Sequence, residues 1–142
     1  MVEDKAKEAY KWVKKPVIVE DTGLYIYALN KFPGALIKWL LKSIGNKGIC
    51  KILNSFNNRS AYAKTVICYY DGKHTRFFIG RINGRIAKKP SKGDKFGWDP
   101  IFIPEGYNKT FAELGKDIKN KISMRSKAFK KFVRFLRDLN ES

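Results

Sequence analysis

Histidine and cysteine are scarce in this sequence of 142 residues, which contains one histidine and two cysteines. With His74 as the one histidine, and with Cys50 and Cys68 far apart and not in a cluster, the sequence lacks the usual ligand pattern of a zinc site. Cys50 falls in a helical pattern and Cys68 in a strand pattern. We therefore expect two buried free thiols rather than a disulfide.

Long apolar runs are also absent, since no stretch approaches the ~20 residues that a membrane-spanning helix needs. The first residues are charged and follow a helical pattern, which is not typical of a signal peptide. The sequence therefore predicts a cytoplasmic protein with no membrane partner.

Acidic residues are few, with 13 Asp and Glu against 30 Lys and Arg, so the formal net charge is +17. Such a charge attracts polyanions. The basic residues are spread over the whole chain, which favours a solvated lysine-rich surface with one local anion pocket. The charge permits a nucleic-acid partner, but this distribution does not favour one.

Hydrophobic residues make up 44% of the chain, which is a globular composition and predicts a single domain over residues 1–142. The periodicity predicts an α/β fold. A helix over residues 2–15 precedes a buried strand over 16–21, whose acidic tip is followed by a turn at Thr22-Gly23. Further along, we expect helices over 35–44 and 47–56, a hairpin of strands over 60–70 and 75–86, a loop over 88–100, a short strand over 101–103 and a helix over 126–139.

Two adjacent carboxylates, Glu20 and Asp21, end the first predicted strand. Neighbouring side chains of a strand point to opposite faces, so only one can face a given pocket unless the strand ends there. A carboxylate at a strand end can hold Mg²⁺ or orient a water molecule. The alternative is an ordinary acidic strand end before a turn.

The segment Phe96-Gly-Trp98-Asp99-Pro combines two aromatic residues with an Asp-Pro turn. Aromatic side chains on a loop can stack on a nucleobase, and the carboxylate can accept hydrogen bonds from a base or ribose. The alternative is a loop that its aromatic residues attach to the core.

Two cationic segments are candidates for anion contacts. Lys119, Ser123 and Arg125 lie just before the last predicted helix, where backbone amides favour anions, and arginine offers a planar fork of donors. Lys38 lies off the apolar face of its helix. Either segment can instead be solvated, with Ser123 as a helix cap.

Taken together and in order, these segments resemble the inosine triphosphate pyrophosphatase family of house-cleaning enzymes. The resemblance covers almost the whole chain, and its specificity comes from the number and order of the matching segments. They are Lys5 to Ala9, Pro16 to Leu24, Phe32 to Gly34, Ile37 to Trp39, Ser60 to Ala63, Gly80 to Ile86, Phe96 to Phe102, Thr110 to Glu113, and Lys119-Asn120 with Ser123 and Arg125.

The resemblance implies an elongated, two-lobed α/β domain around a mixed β-sheet flanked by helices, with a nucleotide cleft between the lobes. It implies Mg²⁺-dependent hydrolysis of inosine, deoxyinosine and xanthosine triphosphates to the monophosphate and pyrophosphate. It also implies a homodimer.

The resemblance assigns roles to individual residues as well. Asp21 would be the catalytic base and a metal contact, with Glu20 assisting the metal, and this hypothesis requires Asp21 to share one cleft with Phe96 and Arg125. Phe96 would stack on the base beside Trp98 and Asp99. The other implied substrate contacts are Lys5 on the phosphates, Lys119, Ser123 and Arg125 on the base edge, and Thr22, Gly23 and Lys38 within the matching segments.

The sequence departs from the family at two places. Met124 stands where the family has a histidine, and a thioether cannot donate a hydrogen bond to a keto oxygen. The family's opening strand and phosphate loop are not in this sequence, which we attribute to a misassigned or split gene start, a truncated relative without hydrolysis, or a segment supplied by another chain. The alternative functions are accordingly a non-catalytic nucleotide or nucleic-acid binder, or a structural remnant that assembles with a partner.

Overall fold

The computed structural model describes residues 2–92 and 97–141, the last of these by its backbone only. These residues form five helices and five strands, with short 3-10 turns at Tyr27–Leu29 and Asp99–Ile101. The elements are α1 (Val2–Val13), β1 (Val17–Ile26), β2 (Phe32–Gly34), α2 (Ile37–Leu53), β3 (Ser60–Tyr70), β4 (Thr75–Ile86), β5 (Phe102–Pro104), α3 (Phe111–Leu114), α4 (Lys116–Ile122) and α5 (Met124–Glu141).

The strands form one sheet in the order β2-β1-β3-β4-β5. Every pairing among the described residues is antiparallel, where a mixture of directions was expected. The α/β class with helices flanking the sheet is confirmed. The 11 residues of β3 make this strand roughly 35 Å long at ~3.3 Å per residue.

The two faces of the sheet carry different helices. Tyr70 of β3 meets Tyr10 of α1 with ring centroids 5.2 Å apart. Its neighbour Tyr69 meets Phe135 of α5, also at 5.2 Å. Because side chains alternate along a strand, one side of the sheet is the α1 face and the other is the α5 face.

The α5 face holds two separate apolar clusters. One lies between β3, β4 and α5 and includes Ile67 and Phe132. The other joins the far ends of the strands to α2 and α3, and includes Leu24, Ile49 and Phe111. Each cluster is the core of one lobe, and the two lobes leave a cleft between them on this face, as expected for a two-lobed domain.

Most predicted elements are confirmed. The hairpin has the predicted strand bounds, and its turn is closed by Asp71, which accepts hydrogen bonds from the backbone N–H groups of Lys73 and His74. The helices predicted over 35–44 and 47–56 form α2, which bends at Gly45. Cys50 and Cys68 are both buried and free.

Strand β1 differs from its prediction. It continues through Thr22 and Gly23 to Ile26, because these residues pair with Thr65 and Lys64 of β3. The carboxylates of Glu20 and Asp21 therefore lie within the strand and not at its tip. The backbone of Gly34 lies 2.8 Å from where a Cβ on Gly23 would be, so this glycine allows β2 to approach β1 where a turn was predicted.

No helix in residues 2–92 and 97–141 is both long enough and apolar enough to cross a bilayer.

Candidate active site

A cavity of about 1350 Å³ occupies the cleft between the two lobes. Its floor is β1, which contributes Glu20 and Thr22, and its walls come from the loop before β5 and from α3, α4 and α5. The hydroxyl groups of Thr22 and the fully buried Thr65 are 2.8 Å apart. This hydrogen bond satisfies polar groups in the floor, which keeps the floor rigid.

Glu20 and Arg125 form a two-pronged ion pair across the cleft. Arg125 Nε lies 2.8 Å from Glu20 Oε2, and Nη2 lies 2.8 Å from Oε1. These hydrogen bonds raise the pKa of the Arg125 guanidinium above its usual value. The guanidinium carbon also lies 4.6 Å from the ring centroid of Phe129. Glu20 therefore fixes the plane of the Arg125 fork within the cavity.

A second ion pair lies deeper, where Lys119 Nζ of α4 is 2.7 Å from Asp99 Oδ2. Asp99 is buried, and the 3-10 turn that holds it also places Trp98 at the cavity wall. Lys119 Nζ lies 5.7 Å from the ring centroid of Phe111 as well. The pair brings a donor and an acceptor to one wall with aromatic surface beside them.

Ser123 joins α4 to α5 and is buried in the cavity wall. Its hydroxyl accepts a hydrogen bond of 3.1 Å from the backbone N–H of Ser126. Ser123 is thus the N-terminal cap of α5 and starts the helix at Met124, two residues before the predicted start. Met124 is buried and lines the same wall with an apolar thioether.

Asp21 lies on the other face of the sheet. It pairs with Val66, which shares the α1 face with Tyr70, whereas Glu20 pairs with Ile67 in the α5 cluster. The prediction that Asp21 lies in the same cleft as Arg125 is therefore wrong. Strand β1 continues past the two carboxylates, so their side chains point to opposite faces of the sheet. The role of Asp21 as catalytic base stays a prediction.

The open edge of the sheet still connects Asp21 to the cavity. Strand β2 pairs with β1 only at Leu24 to Ile26, so no described residue pairs with Val17–Gly23 on that side. The two carboxylates thus sit on either side of an exposed strand edge.

Besides Asp21, three predicted residues lie away from the cavity, and one cannot be placed. Lys5 is exposed on α1, Lys38 is exposed on α2, and Gly23 has the same strand alternation as Asp21. Phe96 lies outside the described residues. The cavity does gather Glu20, Thr22, Trp98, Asp99, Lys119, Ser123 and Arg125 from the predicted set.

Comparison with known proteins agrees with this geometry. The Ham1 family matches residues 1–135. The chain belongs to the Ham1 family. It is 41% identical over 141 residues to the dITP/XTP pyrophosphatase of Thermococcus kodakarensis, covering 96% of this chain and 76% of that protein.

Two further relatives extend the comparison. The chain is 48% identical over 125 residues to the inosine triphosphate pyrophosphatase of Saccharomyces cerevisiae, covering 86% of this chain and 62% of that protein. A solved Ham1 protein from Coxiella burnetii superimposes with a TM-score of 0.87 at 29% identity, covering 96% of this chain and 75% of that structure. The resemblance found in the sequence and its α/β fold are confirmed.

Glu20 and Asp21 of this Ham1 chain differ in whether their oxygens are available to a metal ion. Both oxygens of Glu20 are occupied by Arg125. Asp21 is half-buried and has no hydrogen bond or ion pair with another described residue, so its oxygens are free. No cluster of three or more His, Cys, Asp or Glu within residues 2–92 and 97–141 forms a metal cage. Asp21 alone fits Mg²⁺, which is often held by one carboxylate together with substrate phosphates.

Several residues that line the cavity are not in the predicted set. Phe129 and Val133 fall within the last predicted helix but were not assigned to the site, and neither was Phe111. α5 is amphipathic, but periodicity cannot distinguish residues that pack against the sheet from those beside them that line a cleft. The only available signal for Phe111 was its place inside a family-like segment.

Proposed function

We propose that this protein hydrolyses non-standard purine nucleoside triphosphates, namely ITP, dITP and XTP, to the monophosphate and pyrophosphate with Mg²⁺. The observation that carries the proposal is a cavity large enough for a nucleotide, with two fixed charge pairs, separated from a free carboxylate by one open strand edge. The enzyme class follows from the Ham1 family, whose named relatives are hydrolases of nucleoside triphosphates.

The cavity supports selection of a 6-keto purine. Lys119 and Arg125 direct positive donors into it, and Ser123 adds a hydroxyl at the start of α5. Hypoxanthine and xanthine carry an acceptor oxygen where adenine carries an amino donor. Adenine would leave these donors facing a donor, and an unpaired buried polar group of this kind discriminates strongly. Met124 adds no donor, so selectivity depends on the two cations.

The free carboxylate supports the chemistry. With the base in the cavity, the triphosphate crosses the edge of β1 toward Asp21, which accepts a proton from a water molecule. The water oxygen bonds to the α-phosphorus, the bond from that phosphorus to the bridging oxygen breaks, and pyrophosphate leaves. Mg²⁺, when bound, neutralises charge on the phosphate oxygens.

We also propose a cytoplasmic homodimer. Large apolar side chains are exposed around β2 and the start of α2: Phe32 is 48% exposed, Leu36 50% and Trp39 64%. An apolar patch of this kind is typical of a protein contact. Light scattering during size-exclusion chromatography should give twice the mass of the chain, and Trp39→Glu should reduce it to that of a monomer.

The activity test measures pyrophosphate released from ITP, dITP, XTP, ATP and GTP with Mg²⁺ and with EDTA. We expect turnover of the first three with Mg²⁺, loss of turnover with EDTA, and little turnover of ATP. Asp21→Asn is the matched control because it keeps the side-chain shape. Equal turnover of ATP and ITP, or release unaffected by Asp21→Asn, would refute the proposal.

A further inference from the structure

A second groove of about 500 Å³ runs along the other side of α5. One wall is the backbone of Ile79 to Arg81 in β4, and the other is a stripe of basic residues on α5. We call this feature the basic groove; its cations are Lys127, Lys130, Lys131 and Arg134. Their spacing of three and four residues puts them on one side of the helix.

Two of these lysines are held in place by the edge of the sheet. Strand β3 pairs along one edge of β4, but on the other edge β5 pairs only with Gly84 to Ile86. On that second edge, the earlier carbonyl groups of β4 have no strand partner among the described residues. Lys127 Nζ donates to the carbonyl of Arg81 at 3.1 Å, and Lys131 Nζ donates to that of Ile79 at 2.6 Å. Each ammonium keeps two further donors for a ligand.

The positive charge of the groove is not neutralised. None of its four cations forms an ion pair with a described residue, and no described carboxylate lines it. The cavity differs, because Arg125 and Lys119 are paired there with Glu20 and Asp99. Four unpaired cations in a concave surface focus a field that attracts polyanions.

The groove is continuous with the cavity, since Lys130 and Arg134 line both. Lys127 and Arg134 are separated by about 10 Å along the helix axis at 1.5 Å per residue. At about 3.4 Å per strand position, that length covers three steps, or four successive phosphates, one for each cation. The adjoining cavity offers Phe129 as a stacking surface to an unpaired base.

We propose that the basic groove binds the phosphate backbone of single-stranded nucleic acid. The cations hold successive phosphates, and the opening at Lys130 and Arg134 lets one unpaired base enter the cavity. A duplex cannot offer a base in this way without being opened. This binding involves no turnover, so it is tested separately from the hydrolysis of nucleoside triphosphates.

The test titrates the full chain against a fluorescein-labelled 12-nucleotide oligodeoxythymidylate, with anisotropy read between 50 and 200 mM KCl. Single strands give a slope of log K against log salt of about −0.7 per phosphate contact, so four contacts predict about −2.8. The affinity should then fall about 50-fold across this range. Absence of binding at 50 mM KCl would overturn the proposal.

Paired variants locate the binding. Lys130→Gln/Arg134→Gln should reduce the slope to about −1.4. Lys47→Gln/Lys51→Gln removes the same charge at the same spacing from exposed positions of α2 and should leave the slope near that of the wild type. Thermal melts establish that both variants fold.

The same variants distinguish single-stranded nucleic acid from other polyanions as the ligand of the basic groove. Equal losses in the two variants would show a general charge effect and overturn the proposal. Tighter binding to a duplex of the same length, or to phosphatidylserine vesicles, with the same dependence on Lys130 and Arg134, would also overturn it in favour of that ligand.

Discussion

The two neighbouring carboxylates of β1 have opposite surroundings. Glu20 faces the cavity, and both its oxygens are bonded to Arg125. Asp21 faces the other side of the sheet and has no partner of that kind. A paired carboxylate orients another group, whereas an unpaired, half-buried one is available to a proton or a metal. In the proposed function, recognition and chemistry are therefore divided between the two faces of one strand.

The substitution Asp21→Asn should have the largest effect, and it tests directly whether the two carboxylates have different roles. If Asp21 is the base, kcat for ITP should fall about 10³-fold, the middle of the usual contribution of a general base, while KM changes little. Steady-state pyrophosphate release gives both constants. A fall of less than threefold in kcat would place the reactive carboxylate elsewhere.

A second test of this comparison is to disturb the helix that defines the Glu20 side. A Cβ on Gly80 would lie 1.9 Å from the carbonyl oxygen of Met124, so Gly80→Ala must push α5 away from β4. We expect the free energy of unfolding to fall by about 3 kcal/mol and the affinity for ITP to fall with it. Urea denaturation measures the first and calorimetry the second. Thr75→Ala on the same strand is the control, and equal stability of the two variants would contradict the close packing.

Glu20→Gln sharpens the comparison from the recognition side. The change removes the charge that orients Arg125 but leaves Asp21 in place. Because the pair is partly exposed, we expect an effect of about 1 kcal/mol, or roughly a fivefold rise in KM for ITP, with kcat nearly unchanged. A large loss of kcat with constant KM would show that Glu20, and not Asp21, performs the chemistry.

The smallest effect should come from a carboxylate with only structural partners, Asp71 in the hairpin turn. Hydrogen bonds from the backbone N–H groups of His74 and Lys73 lower its pKa to about 2. A carboxylate whose pKa is lowered on folding stabilises the protein above its ordinary pKa, and this contribution is lost as the pH falls through the folded value. Asp71→Ala should therefore lower the Tm at pH 7, and the difference from wild type should narrow between about pH 4 and pH 2. If the Tm difference between Asp71→Ala and wild type does not change with pH, the charge of Asp71 does not contribute to stability.

Much of the secondary structure was predictable because turn residues and the spacing of apolar residues are strong signals in the hairpin and the long helices. The Asp71-Gly72 turn between two apolar runs predicted the hairpin with its correct bounds, and the stripe of apolar residues predicted α5. The turn predicted at Thr22-Gly23 was wrong. The pair is typical of a turn, but in the structure Gly23 lets β2 lie close against β1. Short elements such as α3 and α4 depend on their neighbours and had little signal of their own.

The candidate site was predicted less evenly. Seven of the expected residues meet in the cavity because segments 20–22, 98–99 and 119–125 each carry part of a recognisable pattern. Lys5 and Lys38 were chosen from such segments too, yet they lie exposed elsewhere. The basic groove was not foreseen, because the sequence does not show that these cations of α5 face the open edge of β4.

The sequence by itself determined the family, the α/β class and the order of the longer elements, because these follow from periodicity, turn residues and ordered motifs. Only the tertiary structure decided that Glu20 and Asp21 serve opposite faces, since that depends on β1 continuing past them in register with β3. It also decided which cations are neutralised and which remain unpaired. Charge pairing depends on distances across the fold, which no spacing along the chain contains.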